Sequence, residues 1–156
     1  MAEPHTKTDK AIGIIMTYNS SHFLEDIFNR VPREVLNGII VVDDDSGDKE
    51  ETAAIAKRLG IPFFTHEHMG YGGNVKYSIK KGIELGAEYI VDLHGDGQYD
   101  PTAIPLALAK AREGYDLVLG SRVLVDKTQP LKDDMSLARY LANIGLSAIE
   151  RIVLQV

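Results

Sequence analysis

Five short apolar runs alternate with helical stretches along this chain, and that alternation limits the fold more than any other feature. Ala11 to Met16 (AIGIIM) carries no polar alternation, the pattern of a strand buried on both faces. Gly38–Asp43, Ile61–Thr65, Tyr89–Leu93 and Asp116–Gly120 repeat it. Helices are predicted between them. One starts at Ser21 and carries Phe23, Leu24, Ile27 and Phe28 before Pro32. A second, capped by Asp48 or Ser46, carries Ala53, Ile55, Ala56 and Leu59 and closes at Gly60. A third is entered through Gly70–Gly73, with Val75, Ile79, Ile83 and Leu85 on roughly one face, and ends at Gly86. A fourth follows the Asp100–Pro101 cap signal, carries Ile104, Leu106 and Leu108, and breaks at Gly114. Strand, helix and short link in regular succession predict an α/β fold: a three-layer α/β/α sandwich around a mainly parallel sheet.

A chain of 156 residues, 44% of them apolar, can bury one such core and not two. Residues 1–10 read as a disordered polar tail and 11–156 as a single domain. Lys and Arg number 17 against 23 Asp and Glu, a net charge of −6 that argues against a nucleic-acid partner and a polybasic membrane surface. The absence of cysteine excludes a disulfide scaffold, a thiolate zinc site and a thiol nucleophile, and fits a reducing, cytoplasmic setting. The N-terminal residues lack a signal-peptide core, and no run reaches the roughly 18 apolar residues of a membrane span. At the C-terminus Leu137, Leu141, Ile144, Ala148 and Ile152 form a helical stripe that reaches Val156 without a stop signal. Either the helix frays there, or the chain is C-terminally truncated.

In an open parallel sheet, ligands bind beyond the carboxyl ends of the strands, where loops present side chains and helix N-termini present amides. Those ends carry Thr17-Tyr18-Asn19-Ser20, Asp43-Asp44-Asp45, the His66–Gly73 loop, His94–Pro101 and Gly120-Ser121-Arg122. Asp43 and Asp44 either form turns and caps or accept hydrogen bonds from a nucleobase or ribose. Asp96 is the best single ligand for a hard cation such as Mg²⁺ or Mn²⁺, which shares its oxygens with substrate phosphates. Asp100 is a helix cap or a second ligand, and His94 is a ligand or an ordinary hydrogen-bonding group. Gly70-Tyr71-Gly72-Gly73 fails as a dinucleotide fingerprint because Val75 takes the place of its third glycine. The lead still permits close backbone approach at Gly72, with Lys76 in reach of a diphosphate, or it is a plain helix entry. Arg122 pairs with phosphate or makes a surface salt bridge.

Taken in order, IIMTYNS, VVDDDSGD, GYGGNVKYSIKKG, DLHGDGQYDP and LVLGSR resemble glycosyltransferase family 2, above all its polyprenyl-phosphate sugar transferases of the dolichol-phosphate mannosyltransferase type. The resemblance covers residues 11 to 125. It implies the GT-A nucleotide-sugar-binding fold and inverting transfer of a sugar from a UDP- or GDP-sugar to a lipid phosphate, in glycan or cell-envelope synthesis at the cytoplasmic face of a membrane. It implies that Thr17, Tyr18 and Asn19 line the nucleoside pocket and that Asp43 or Asp44 holds the base or ribose. His94-Gly95-Asp96 would take the metal position, with Gln98 beside it, and Arg122 would face the diphosphate or the acceptor phosphate. His94 stands where the family's metal motif has its first Asp, which weakens the expected Mg²⁺ or Mn²⁺ site, and Ser20 stands where many members have Glu. No catalytic base is identifiable, and the family's acceptor segment lies beyond Val156. The terminal helix would then serve a second copy of the chain or a membrane-associated partner.

Three rivals remain. One is a nucleotide-sugar-binding module, or donor half, without transfer activity. A sugar-phosphate nucleotidyltransferase would need a glycine-rich, basic loop after strand one, which Thr17–Ser20 is not. A receiver domain would place its acidic pair after strand one, whereas here it follows strand two.

Overall fold

A computed structural model describes residues 9–120 and 135–154. The chain divides into two compact units, Met1–Val118 and Leu119–Val156. The first holds strands β1 (Ala11–Thr17), β2 (Gly38–Asp43), β3 (Phe63–Thr65) and β4 (Tyr89–His94), with helices α1 (Ser21–Arg30), α2 (Lys49–Leu59), α3 (Gly70–Glu84) and α4 (Ile104–Arg112). Its sheet is parallel throughout, in the order β3-β2-β1-β4.

β1 is buried along its whole length, which is why its sequence shows no polar alternation. Its side chains divide between two layers. Ala11 and Ile15 join Leu24, Ile27 and Phe28 of α1, Ala56 of α2, and Ile104 and Leu108 of α4. Ile12, Ile14 and Met16 join Ile40 and Val42 of β2, with Val75 and Tyr77 of α3 packed against them. Each fully buried aliphatic side chain contributes about 1.5–3 kcal/mol, so the two layers together hold the sheet at its centre.

Three sequence expectations are corrected. Residues 116–120 form no strand, and Leu117 and Leu119 are exposed. An apolar run becomes a strand only where a neighbouring strand takes its amides and carbonyls, and its own periodicity does not report that neighbour. β3 begins at Phe63 rather than Ile61, because the Ile61 N–H closes α2 by donating to the Ala56 carbonyl (2.9 Å), and Pro62 has no N–H to give. α3 turns Asn74, Ser78 and Gly82 to the sheet and leaves Ile79 and Ile83 exposed. Gly82 suits this rotation: a β-carbon there would lie 2.8 Å from Ile90 Cδ1, so a larger residue would require the Ile90 side chain to turn aside.

Asp48 precedes α2 but does not cap it with its side chain. Its carboxylate instead accepts the Ser21 N–H at the start of α1 (2.8 Å) and the Ser46 hydroxyl (2.7 Å), joining two helix entries. Partial burial works to raise its pKa, but these hydrogen bonds prevail and hold it below the usual carboxylate value. A carboxyl with a depressed folded-state pKa stabilises fully above its unfolded pKa and loses that contribution as pH falls through the folded value. Asp48→Ala should therefore cost about 1 kcal/mol at neutral pH. The gap between its denaturation midpoint and that of the parent should close in strong acid.

The second unit contains α5 (Leu137–Leu154). Ser136 Oγ accepts the Arg139 N–H at 3.4 Å at its start, and Leu137, Leu141, Ile144 and Ile152 are exposed along it. Among the described residues no helix is long and apolar enough to cross a membrane.

Candidate functional site

The register pairs Thr17 with Asp43 and Met16 with His94, so β1, β2 and β4 end at one level. A cavity of about 350 Å³ opens there. Its walls are Met16 to Tyr18 and Ser20 at the end of β1, Asp44 after β2, His68, Gly70, Tyr71 and Asn74 at the entry of α3, and His94 to Asp96 at the end of β4. This is the position at which open parallel sheets bind ligands.

The adjacent carboxylates of β2 are separated by their directions. Asp43 is fully buried and accepts from Thr17 Oγ1 (2.8 Å) and Ser46 N–H (2.9 Å), and shares the single Ser46 hydroxyl hydrogen with Asp48 (Oγ 2.7 Å from each), so it braces the strand ends and does not line the cavity. Asp44 does line it. Its side chain is 3% exposed, with Oδ1 accepting the Met69 N–H at 2.8 Å and Oδ2 lying 3.0 Å from His68 Nδ1. Asp45 and Asn19 hold left-handed backbone (φ 53° and 51°), which Asp and Asn tolerate better than most residues. Asn19 Oδ1 accepts the Gly47 N–H at 2.8 Å, so this sequence candidate ties two loops together and is not part of the cavity wall.

His68 is the residue that Asp44 presents. Its Nδ1 faces only acceptors, Asp44 Oδ2 and the Asp44 carbonyl (3.1 Å), so Nδ1 carries the hydrogen and Nε2 is left for the cavity. Tyr18 stacks on it with ring centroids 5.0 Å apart. The rings are tilted by 31° to each other and both are exposed, an aromatic surface on which a nucleobase can stack. Gly72 and Lys76 are not in the cavity wall, and no Lys or Arg is among its described lining residues. The N-terminus of α3 supplies an electropositive dipole end there.

Past β4, the Gly95 N–H donates to the Met16 carbonyl (2.7 Å), pinning the loop on the end of β1. Asp96 follows directly. One of its oxygens accepts the Gln98 N–H (3.0 Å), and the other has no protein partner among the described residues. His94 packs against the rings of Tyr71 and Tyr99, with Nε2 3.1 Å from the Tyr71 hydroxyl and no partner for Nδ1 among the described residues. Asp92, on the same face of β4, has its pKa raised by burial, with His94 opposing the shift. Burial, then the Asp92 charge, raises the Tyr71 phenol. Asp100 accepts the Thr102 N–H (3.0 Å) and hydroxyl (2.8 Å), so it caps the turn ahead of α4.

Among the described residues no three His, Asp or Glu side chains are placed to hold a metal by themselves. A hard cation that draws its other ligands from phosphate and water needs only one or two carboxylates. Asp96, with His94 and Gln98 near it in sequence, fits that partial donor set.

The structure thus brings Thr17, Tyr18, Asp44, His94 and Asp96 to one cavity and leaves Asn19, Asp43, Gly72 and Lys76 outside its lining. Arg122 lies outside the described residues. His68, Tyr71 and Asn74 line the cavity without having been singled out in the sequence. Two histidines separated by one residue ahead of a glycine-rich helix entry were the available signal for His68; Asn74, inside the helix, gave none.

The family described as Glycosyl transferase family 2 matches residues 14–150. An uncharacterized protein of Methanocaldococcus jannaschii is 31% identical over 143 residues, 90% of this chain and 57% of that protein. The UDP-N-acetylglucosamine–dolichyl-phosphate N-acetylglucosaminyltransferase of Methanococcus voltae is 29% identical over 161 residues, 90% of this chain and 62% of that enzyme. The dolichol-phosphate mannosyltransferase of Pyrococcus furiosus is 31% identical over 117 residues, 72% of this chain and 33% of that enzyme. The chain spans less than two thirds of the length of each of these relatives.

Proposed function

We propose, from the premise that this chain belongs to glycosyl transferase family 2, that its cavity binds a nucleoside-diphosphate sugar and that the protein moves the sugar to a polyprenyl phosphate at the cytoplasmic face of a membrane. The observation that carries the reading is the convergence of Tyr18, Asp44, His68 and Asp96 at the carboxyl edge of the sheet. The Tyr18–His68 wall takes the base, and the α3 N-terminus faces the phosphates. Two relatives named for dolichyl-phosphate acceptors support the acceptor class.

Transfer is a single displacement. An acceptor phosphate oxygen attacks the anomeric carbon, the bond to the diphosphate breaks with its electron pair leaving on the diphosphate, and the configuration inverts. An acceptor that is already anionic needs no strong base to activate it. Bound Mg²⁺ or Mn²⁺ would neutralise the departing diphosphate as a Lewis acid. Asp96 would hold the ion, with His94 or Gln98. A diphosphate beside Asp96 and Asp44, with no Lys or Arg in the described wall, otherwise meets net repulsion.

Calorimetric titration with UDP-glucose and GDP-mannose, with and without Mg²⁺ or Mn²⁺, tests the reading. The expected result is binding of one nucleotide sugar that weakens at least about tenfold on chelation or in Asp96→Ala. Absence of binding to both nucleotide sugars under every condition would refute the donor site.

A further inference from the structure

The inner wall of the cavity carries a side chain that donor binding, as described so far, does not use. Asn74, in α3, is 5% exposed and opens on the cavity. Its carbonyl oxygen lies 3.1 Å from His66 Nε2, while its amide nitrogen has no partner among the described residues. The amide nitrogen is not enclosed, for among the described residues Ser78 Oγ alone is a buried side-chain N or O without a partner, so the Asn74 N–H groups reach the cavity, where a ligand oxygen can take the place of water.

What Asn74 shows to the cavity depends on His66. The His66 side chain is 7% exposed and packs on Tyr77 with ring centroids 4.3 Å apart. Its Nδ1 lies 2.7 Å from the Glu67 carbonyl, which can only accept, so Nδ1 carries a hydrogen. Nε2 then donates to the Asn74 carbonyl only if the ring is an imidazolium. A neutral ring presents a lone pair at Nε2, and Asn74 must turn its amide over and donate to it. The charged groups facing His66 come from each element around it. Asp44 Oδ1 is 3.6 Å from Nδ1, and Asp45 follows it in the same loop. His68 lies in the loop of His66 itself. On α3 the facing group is the uncharged Tyr77 phenol, with Lys81 Nζ 5.6 Å from that ring.

We propose that Asn74 reads the bound nucleotide sugar and that His66 is the positioning residue whose protonation selects which end of the Asn74 amide the ligand meets. With His66 charged, the amide N–H groups face a phosphate or carbonyl oxygen of the ligand. With His66 neutral, a carbonyl oxygen faces it instead and repels the same atom. The inference rests on the donor-site reading and adds a residue and a pH response to it.

The test is a titration of the full chain with UDP-glucose and GDP-mannose from about pH 5 to about pH 8, at fixed Mg²⁺. Neither probe changes charge over that range, so the response belongs to the protein. For whichever probe binds, the parent chain should lose about fivefold to tenfold in affinity toward the upper end. Asn74→Ala should bind that much more weakly at the lower end and at least as tightly as the parent at the upper end, a comparison that cancels any titration of His68 or His94. His66→Gln, which still reaches Asn74 but carries no charge, should lack the same part of the pH response. In the unmutated chain, addition of the bound probe should shift the Asn74 side-chain amide resonances, and His66 should show two protonated ring nitrogens where binding is tight. This readout stands even if a variant fails to fold. Unshifted Asn74 resonances, or equal pH profiles for the parent and a folded Asn74→Ala, would overturn the inference while leaving the donor site intact. Failure of the parent to bind either probe would overturn both.

Discussion

Asp43→Ala is expected to lower the free energy of unfolding by about 3 kcal/mol or more, a large share of the 5–15 kcal/mol that holds a domain together. The carboxylate is completely enclosed, and three buried donors on Thr17 and Ser46 point at it. Removing it leaves the buried Ser46 N–H unmatched and Thr17 Oγ1 with only the Val42 carbonyl at 3.4 Å, while the Ser46 hydroxyl falls back on Asp48; a donor buried without a partner costs about 1–3 kcal/mol, and the space left by the enclosed carboxylate adds to that. Denaturant unfolding monitored by circular dichroism reads the effect as a lower midpoint at an unchanged slope. Asp44→Ala, one residue on, should instead weaken nucleotide-sugar binding with a smaller loss of stability, because Asp44 orients His68 at the cavity. A loss under about 1 kcal/mol for Asp43→Ala would contradict its assignment as the brace of the strand ends.

Gly95→Ala should damage the site more than its single added methyl group suggests. A β-carbon at that position would lie 2.5 Å from the Met16 carbonyl oxygen and 3.0 Å from both Ser20 Oγ and Thr17 Cγ2. The contact cannot be relieved by a side-chain turn, because the closest atom is backbone and the Gly95 N–H is hydrogen-bonded to that same carbonyl. The loop must move off β1 and take Asp96 with it. Overpacking of this kind costs about 1–3 kcal/mol. A misplacement of about 1 Å in a binding group can cost up to about a hundredfold in function, so affinity for a nucleotide sugar should fall at least about tenfold. Parent-like affinity and stability in Gly95→Ala would show that the loop is not seated as described.

The parts of the fold legible in the sequence were those whose signal is local. β1 and β2 are buried on both faces, so their apolar runs stand out, and the strand ends mark where the polar residues gather. Less legible was whatever depends on a partner distant in sequence. The run at 116–120 looked like the strands that do form, but a strand is made by its neighbour. The isoleucines of α3 suggest one buried face, whereas the helix packs through Asn74, Ser78 and Gly82, the last closely over Ile90 and Ile14. Asp43 and Asp44 could not be separated because successive residues along a strand point to opposite sides, and only the register with Thr17 shows which carboxylate is enclosed. His66 and His68 take their meaning from Asp44 and Asn74, which reach them from β2 and α3.

The account rests on the cavity at the carboxyl edge of the sheet being the nucleotide-sugar site. Backbone amide resonances of the isotope-labelled chain, followed during titration with UDP-glucose or GDP-mannose and Mg²⁺, locate binding directly. Shifts concentrated in Thr17–Ser20, Asp44, His68–Asn74 and Gly95–Asp96 are expected. Shifts gathered instead around Phe28, Arg33 and Leu59, which line a separate hollow at the opposite end of the strands, or no shifts at all, would contradict it.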